Sequence, residues 1–285
     1  MQIVYLYKEG LQLNKITKIK AVYFSPTGTT KKTVNTIAEN LAEKLKISWE
    51  IDDFTLPSRR NTPLVFEKNE LIVFGVPVYA GRVPNIIIKY IATLQGNSAA
   101  GIPVVLYGNR NYDDALIELR DTLEAGGIHT IAAGAFIGEH SFSHILAAGR
   151  PDKQDLSIAR QFSHIIVEKL KEKTNQTSPI TVKGHTPYRS YYRPIVKDGM
   201  HADIRKVVSK VNDSCTNCGI CASVCPMGSI SKKDIRSYIG ICIKCGACIK
   251  SCPVQARYYD DPSYLFHKEN LEETYTRRAE PELFV

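Results

Sequence analysis

The chain has 285 residues, 44% of them apolar, enough for one large domain or two smaller ones with a sizeable core. Ordinary Gly and Pro content, and the lack of any apolar run near the ~18 residues of a transmembrane helix, exclude collagenous, disordered and membrane-spanning classes. The formal charge of +8 suits acidic partners. The N-terminus, MQIVYLYKEG, has no signal-peptide pattern, so a cytoplasmic protein is expected.

In chain order, residues 1–18 precede the first clear element and form an N-terminal extension. Residues 19–173 alternate strand-like and helix-like patterns. IKAVYF (19–24) is a short β-forming run, and Val34, Ile37, Ala38, Leu41, Ala42 and Leu45 follow at helical spacing. ISWEID (47–52) reads as a second strand. ELIVFGV (70–76), IPVVLYG (102–108) and HTIAAGAFIG (129–138) are continuous apolar runs, as in strands covered on both faces. Helical segments lie near 84–95 and 113–126. A last helix follows Pro151, with Asp152 as its cap and Ala159, Phe162, Ile166 and Leu170 as its apolar stripe. Five strands with interleaved helices predict an α/β fold, a doubly wound parallel sheet.

Residues 174–211 lose the pattern. Within them 183–211 hold seven Lys/Arg against two Asp. This linker is either a connector packed across the first domain or a basic docking face for an acidic redox partner. The tail, 258–285, holds seven acidic residues against three basic, so it either wraps back on the basic body or frays.

All eight cysteines fall in residues 212–257, which a disulfide-stapled secreted protein would not arrange. CTNCGICASVCP (215–226) recurs 27 residues later as CIKCGACIKSCP (242–253), every cysteine and the proline in register. Four thiolates suit zinc or iron–sulfur clusters. Zinc ribbons commonly use two separated C-x-x-C pairs, whereas here three cysteines come in one tight run and a fourth precedes proline. That doubled run resembles the two-cluster bacterial-type ferredoxins, a small α+β domain. The resemblance implies two [4Fe–4S] clusters, one on Cys215, Cys218, Cys221 and Cys252, the other on Cys242, Cys245, Cys248 and Cys225. Zinc or a degraded cluster are the alternatives. Gly219 and Gly246 fit tight loops that bring backbone N–H groups to sulfide.

SPTGTT (25–30) follows the first strand and opens a helix. Ser25, Thr27, Thr29 and Thr30 supply hydroxyls, and Gly28 permits close backbone approach. Neither a Walker lysine nor G-x-G-x-x-G is present, so one phosphate monoester fits better than a triphosphate. The bland alternative is a polar connecting loop. SPTGTT resembles the FMN-phosphate loop of flavodoxins. By that resemblance PVYAGRVP (77–84) offers Pro77, Val78, Tyr79, Ala80, Gly81 and Arg82 to the isoalloxazine, and YGNRNYDDA (107–115) offers Gly108, Asn109, Asn111 and Tyr112. It also implies strand order 2-1-3-4-5, with FMN at the switch point. GEHSFSH (138–144) leaves the fifth strand on the same edge. Its His140 is expected to be a hydrogen-bonded structural residue more than a flavin neighbour.

Over its whole length the chain resembles the EFR1-type flavodoxin–ferredoxin fusion proteins, with SPTGTTKK, PVYAGRVP, GNRNYDDA and AAGRPD as the matching stretches. The leading 18 residues fall outside that pattern. The resemblance implies electron transfer between FMN and two [4Fe–4S] clusters, as a carrier between redox protein partners. The alternative is an FMN-dependent reductase of a small acceptor, a quinone or nitro compound. Two clusters at about −2 each and a phosphate near −2 bring the loaded charge down to roughly +2, which makes nucleic acid a poor partner.

Overall fold

The computed structural model describes residues 16–172, 178–196 and 199–285. Most of the predicted 1–18 extension therefore lies outside the described residues. In chain order the first part runs β1 (Lys18–Tyr23), α1 (Thr29–Leu45), β2 (Ser48–Asp53), β3 (Glu70–Pro77), α2 (Asn85–Ile91), β4 (Ala100–Tyr107), α3 (Ala115–Ala125), β5 (His129–Thr130), β6 (Ala133–Ile137) and α4 (Lys153–Lys171). β1 pairs with β2 and β3, β3 with β4, and β4 with β5 and β6, all in parallel. Taking the interrupted β5 and β6 as one strand, the order is 2-1-3-4-5. The sheet is flavodoxin-like, as expected.

The apolar runs of β3 and β4 are explained by their position. Every residue of β4 is buried, because both faces are covered. On one face Val34, Ile37 and Leu41 of α1 pack with Ala159, Phe162 and Ile166 of α4. On the other, Ile87 and Ile91 of α2 join Leu116, Leu119 and Leu123 of α3. Asp152 caps α4 as predicted, accepting from the N–H groups of Gln154 and Asp155, and Asp155 completes a capping box.

The cysteine segment adds β7 (Lys210–Val211), α5 (Ile220–Ser223), α6 (Ala247–Lys250) and β8 (Arg257–Tyr258), with β7 and β8 antiparallel. Its apolar core is small, built round Cys221, Ala222, Ile230, Ile235 and Cys248. Gly219 and Gly246 precede the two short helices at φ of 75° each, a conformation that favours glycine.

The tail wraps; it does not fray. α7 (Pro262–Thr274) starts at Asp261, whose side chain accepts from Tyr264 N–H. β9 (Glu282–Phe284) then pairs antiparallel with β6 and closes the far edge of the sheet. The described part of the linker packs on the first domain. Asp114, fully buried on α3's N-terminal side, accepts from Arg189 Nη2 at 2.6 Å and from the backbone N–H groups of His185 and Arg189. Tyr191 donates to Val83 O at 2.9 Å.

Candidate functional site

The first functional stretch sits where β1 ends and α1 begins. α1 has no side-chain cap and no acidic residue in its first turn, and Gly28 precedes it at φ 84°. The first N–H groups of a helix have no intrahelical partner and carry the positive end of its dipole. Ser25 Oγ accepts one of the nearby ones, from Lys31, at 2.9 Å. Thr30 Oγ1 is buried with no hydrogen-bond partner among the described residues. A buried hydroxyl beside an uncapped helix start fits an anion. Thr27, Gly28 and Thr29 border an open cleft there, together with Lys32, Arg150 and Lys250.

Thr27 and Thr29 also line a second, narrower cavity leading inward between the ends of the strands. Of the residues that the sequence put around a flavin ring, Pro77, Val78, Tyr79 and Gly108 border it. So do Tyr107, Gly138, Glu139, His140 and Ser141, and so does Cys245 of the cysteine segment. Burial pushes the Tyr79 phenol well above its ordinary pKa, with the nearby Cys245 adding to the effect, so it stays a neutral donor.

The other predicted ring contacts lie elsewhere. Ala80 and Gly81, at φ of 53° and 77°, make the tight turn in which Tyr79 and Arg82 exchange backbone hydrogen bonds. Arg82 turns from the cavity to Glu118, donating through Nε at 2.8 Å and Nη2 at 2.6 Å, and lies under Tyr188 and Tyr191 of the linker. Asn109 is taken by the tail: its Nδ2 donates to Tyr275 O and Arg277 O, and its Oδ1 accepts from Ala279 N. Asn111 accepts from Asp113 N–H. Tyr112 is a core residue, packed on Tyr107 and donating to Glu282 at 2.9 Å. The tail and linker thus claim side chains that the sequence assigned to a ligand.

The eight cysteines, none of them in a disulfide, divide into two groups. Cys215, Cys218, Cys221 and Cys252 border one cavity with Pro253 and Arg257. Cys225, Cys242, Cys245 and Cys248 border another with Pro226, Tyr238 and Tyr259. Each run of three thus shares its cavity with the fourth cysteine of the other run. Backbone N–H groups reach the sulfurs: Asn217 to Cys215 at 3.5 Å, Ser229 to Cys225 at 3.3 Å, Ala256 to Cys252 at 3.2 Å. Burial pushes the Cys248 thiol up to about 11 and raises Cys245 further, so these thiols lose their protons only to a bound cation or cluster. Among the described residues no group of three or more His, Cys, Asp or Glu converges as a single metal ion requires.

Residues 214–257 match the family model of the 4Fe-4S dicluster domain. The chain joins a flavodoxin-like sheet to a segment that matches the 4Fe-4S dicluster domain, called the dicluster domain below. Its first part is similar to solved flavodoxins: one from the domain Archaea at 16% identity (54% of this chain, 99% of that one, TM-score 0.39). Another, from Streptococcus pneumonia, is 17% identical (55% and 100%, TM-score 0.37). A mutant flavodoxin of Fusobacterium nucleatum, bound to flavin mononucleotide, is 14% identical (55% and 97%, TM-score 0.36). No curated protein matches the chain. No described helix is long and apolar enough to cross a membrane.

The dicluster domain is seated on the loop 138–146 of the flavodoxin-like part. Lys250 pairs with Glu139 and donates to Ser143 O at 2.7 Å. Arg60 Nη2 donates to Pro226 O at 2.5 Å. α7 packs alongside, with Tyr264 against Phe142 and Tyr259 at ring separations of 4.6 and 4.2 Å. His140 is both structural, accepting from Phe142 N–H at 3.1 Å, and a cavity residue. The signal for it was its place after the fifth strand; Cys245 and Lys250 had no such signal.

Burial, aided by the charges of His267, Lys250 and Arg110, lowers the His140 pKa to about 3; burial and Arg110 lower His267 to about 4. Both rings are neutral in the folded protein but titrate near 6.5 when unfolded. The unfolded chain therefore binds more protons below that value, and stability falls with pH from about 6.5 downward. Thermal melting of the loaded protein between about pH 7.5 and pH 5 should show this loss, and H140Q/H267Q should flatten it. An unchanged slope in the double variant would assign the acid lability elsewhere.

Proposed function

We propose that the chain carries electrons between FMN in the cavity beside Tyr79 and two [4Fe–4S] clusters on the two cysteine quartets, serving as a redox carrier between protein partners. One observation carries this reading: Cys245 borders both the cavity beside Tyr79 and the cavity of the second quartet. A ligand in each would be separated by little more than one cysteine side chain. When bound, FMN supplies exchange of one or two electrons and the clusters supply single-electron steps.

The chain's own residues then position these groups. The uncapped α1 start and Thr30 Oγ1 hold the phosphate, with Ser25 ordering the loop. Tyr79 and His140 border the ring as neutral groups. The docked dicluster domain covers one side of the cavity, which favours a carrier over a reductase that must admit a small acceptor. Fusion holds the centres at high effective concentration. Exposed Cys218 puts the first quartet nearest solvent, as the port for a partner, and a basic surface suits an acidic one. Eight unpaired thiols suit the reducing cytoplasm.

Anaerobically purified protein should hold about eight iron, eight sulfide and one FMN per chain. Reduction of the clusters in a stopped-flow experiment should be followed by bleaching of the flavin within the same molecule, independent of protein concentration. Stoichiometric zinc, or four iron or fewer in anaerobic preparations, would refute the cluster assignment. Robust turnover of NAD(P)H with quinone or nitro acceptors and no protein partner would refute the carrier reading in favour of a reductase.

A further inference from the structure

At one buried position the two halves of the cysteine repeat differ in charge. With the 27-residue offset, Arg257 falls where the first half has Ile230. Both side chains are in the small core of the dicluster domain, exposed by 3% each. β8 carries Arg257 opposite Val211 of β7, so the strand pair fixes its backbone. Among the described residues the guanidinium donates to neutral groups: Nη1 to Ser209 Oγ at 3.0 Å and to Tyr238 OH at 3.3 Å, and Nη2 to Ile235 O. Its Nε is buried and makes no hydrogen bond among the described residues. On one side Arg257 borders the first quartet's cavity, with Cys215, Cys218, Cys221 and Cys252. On the other side Ser209 Oγ lies 3.5 Å from Cys248 Sγ of the second quartet.

A buried cation surrounded by neutral groups is strongly disfavoured unless a counter-anion lies close. Four thiolates around a [4Fe–4S] core supply one. We propose that Arg257 is the fixed countercharge of the first quartet's cluster and, through Ser209, a weaker one for the second. This rests on the two-cluster reading above. Each reduction adds one negative charge to a cluster, and a nearby fixed positive charge favours the reduced form. Arg257 therefore raises the reduction potentials, the first quartet's more than the second's. Since Ile230 supplies no matching charge, the two clusters are electrically unequal despite their matched ligands. An electron is biased toward the cluster nearer solvent, away from the flavin.

The test is redox titration of the holoprotein followed by electron paramagnetic resonance, with iron and sulfide counted in each sample. In R257Q the ratio of reduced to oxidised first cluster at fixed potential should fall about tenfold, which is about 59 mV for one electron. The second midpoint should move less, and R257K should stay near the wild type. S209A should lower only the smaller-shifting midpoint. Unmoved midpoints in R257Q with full iron overturn the proposal, as does an equal shift in R257K. Loss of iron from R257Q together with unmoved midpoints in S209A assigns Arg257 a structural role and also overturns it. Anaerobically prepared wild-type protein with four iron or fewer defeats the two-cluster reading itself, a result distinct from all of these.

Discussion

Gly246→Ala is expected to detach the dicluster domain from the cavity beside Tyr79, whereas Gly219→Ala, its counterpart in the repeat, is expected to leave the docking intact. Both glycines adopt φ 75°, so each alanine costs about 1–2 kcal/mol from backbone conformation alone. Their surroundings differ. A Cβ at Gly219 meets nothing within 4 Å, while one at Gly246 overlaps the carbonyl oxygen of Ser141. That oxygen belongs to the loop that also carries His140 and receives Lys250 at Ser143. Backbone cannot yield as a side-chain tip does, so the added methyl must push Cys245 and its neighbours off the loop. G246A should slow cluster-to-flavin electron transfer in stopped-flow mixing while iron content holds. G219A should keep the wild-type rate and show only the smaller loss of stability. Equal rates in the two variants would remove Gly246 from the docking contact.

Asp155→Ala should cost about 3–5 kcal/mol, a large part of the ~5–15 kcal/mol typical of a folded domain. Asp155 is fully buried and receives Arg150 through Nε at 2.9 Å and through Nη2, besides capping α4 at Asp152 N. Removing it strands a guanidinium that is 5% exposed. That same guanidinium donates to Ala279 O at 2.6 Å, and Arg278 pairs with Asp152 at 2.8 Å, so the tail is tied to this pair. R150M/D155L leaves no stranded charge and should be less destabilised than D155A in urea unfolding, since matched apolar pairs often replace buried ion pairs at little cost. D155A should also expose the tail to protease, because residues 275–279, anchored by Asn109 and by Arg150, lose a neighbour. A double variant weaker than D155A would show that the pair adds net stability.

The parallel sheet was legible because two-sided burial demands apolar runs such as ELIVFGVP and AGIPVVLY, and helices between them demand a 3.6-residue stripe. Asp152 was legible as a cap because capping is local chemistry. The tail was harder. α7 buries only Tyr264, His267 and Leu271, a stripe interrupted by polar types, and β9 is a three-residue edge strand with no alternation to read. Asn109 and Tyr112 show the cost: their loop follows the correct strand, but partners 166 to 170 residues away take their polar atoms.

The amino-acid sequence by itself determined the sheet, the hydroxyl-rich loop SPTGTT that opens a helix and the repeat of the two cysteine runs, since each depends on residue types at short, regular spacing. Only the tertiary structure decided what lies between them. That Cys245 borders both cavities, that Glu139 and Ser143 receive Lys250, and that Arg257 stands buried where its repeat partner is Ile230 all follow from packing of distant segments. Such contacts are set by shape and charge complementarity across the fold, which leave no periodic trace along the chain.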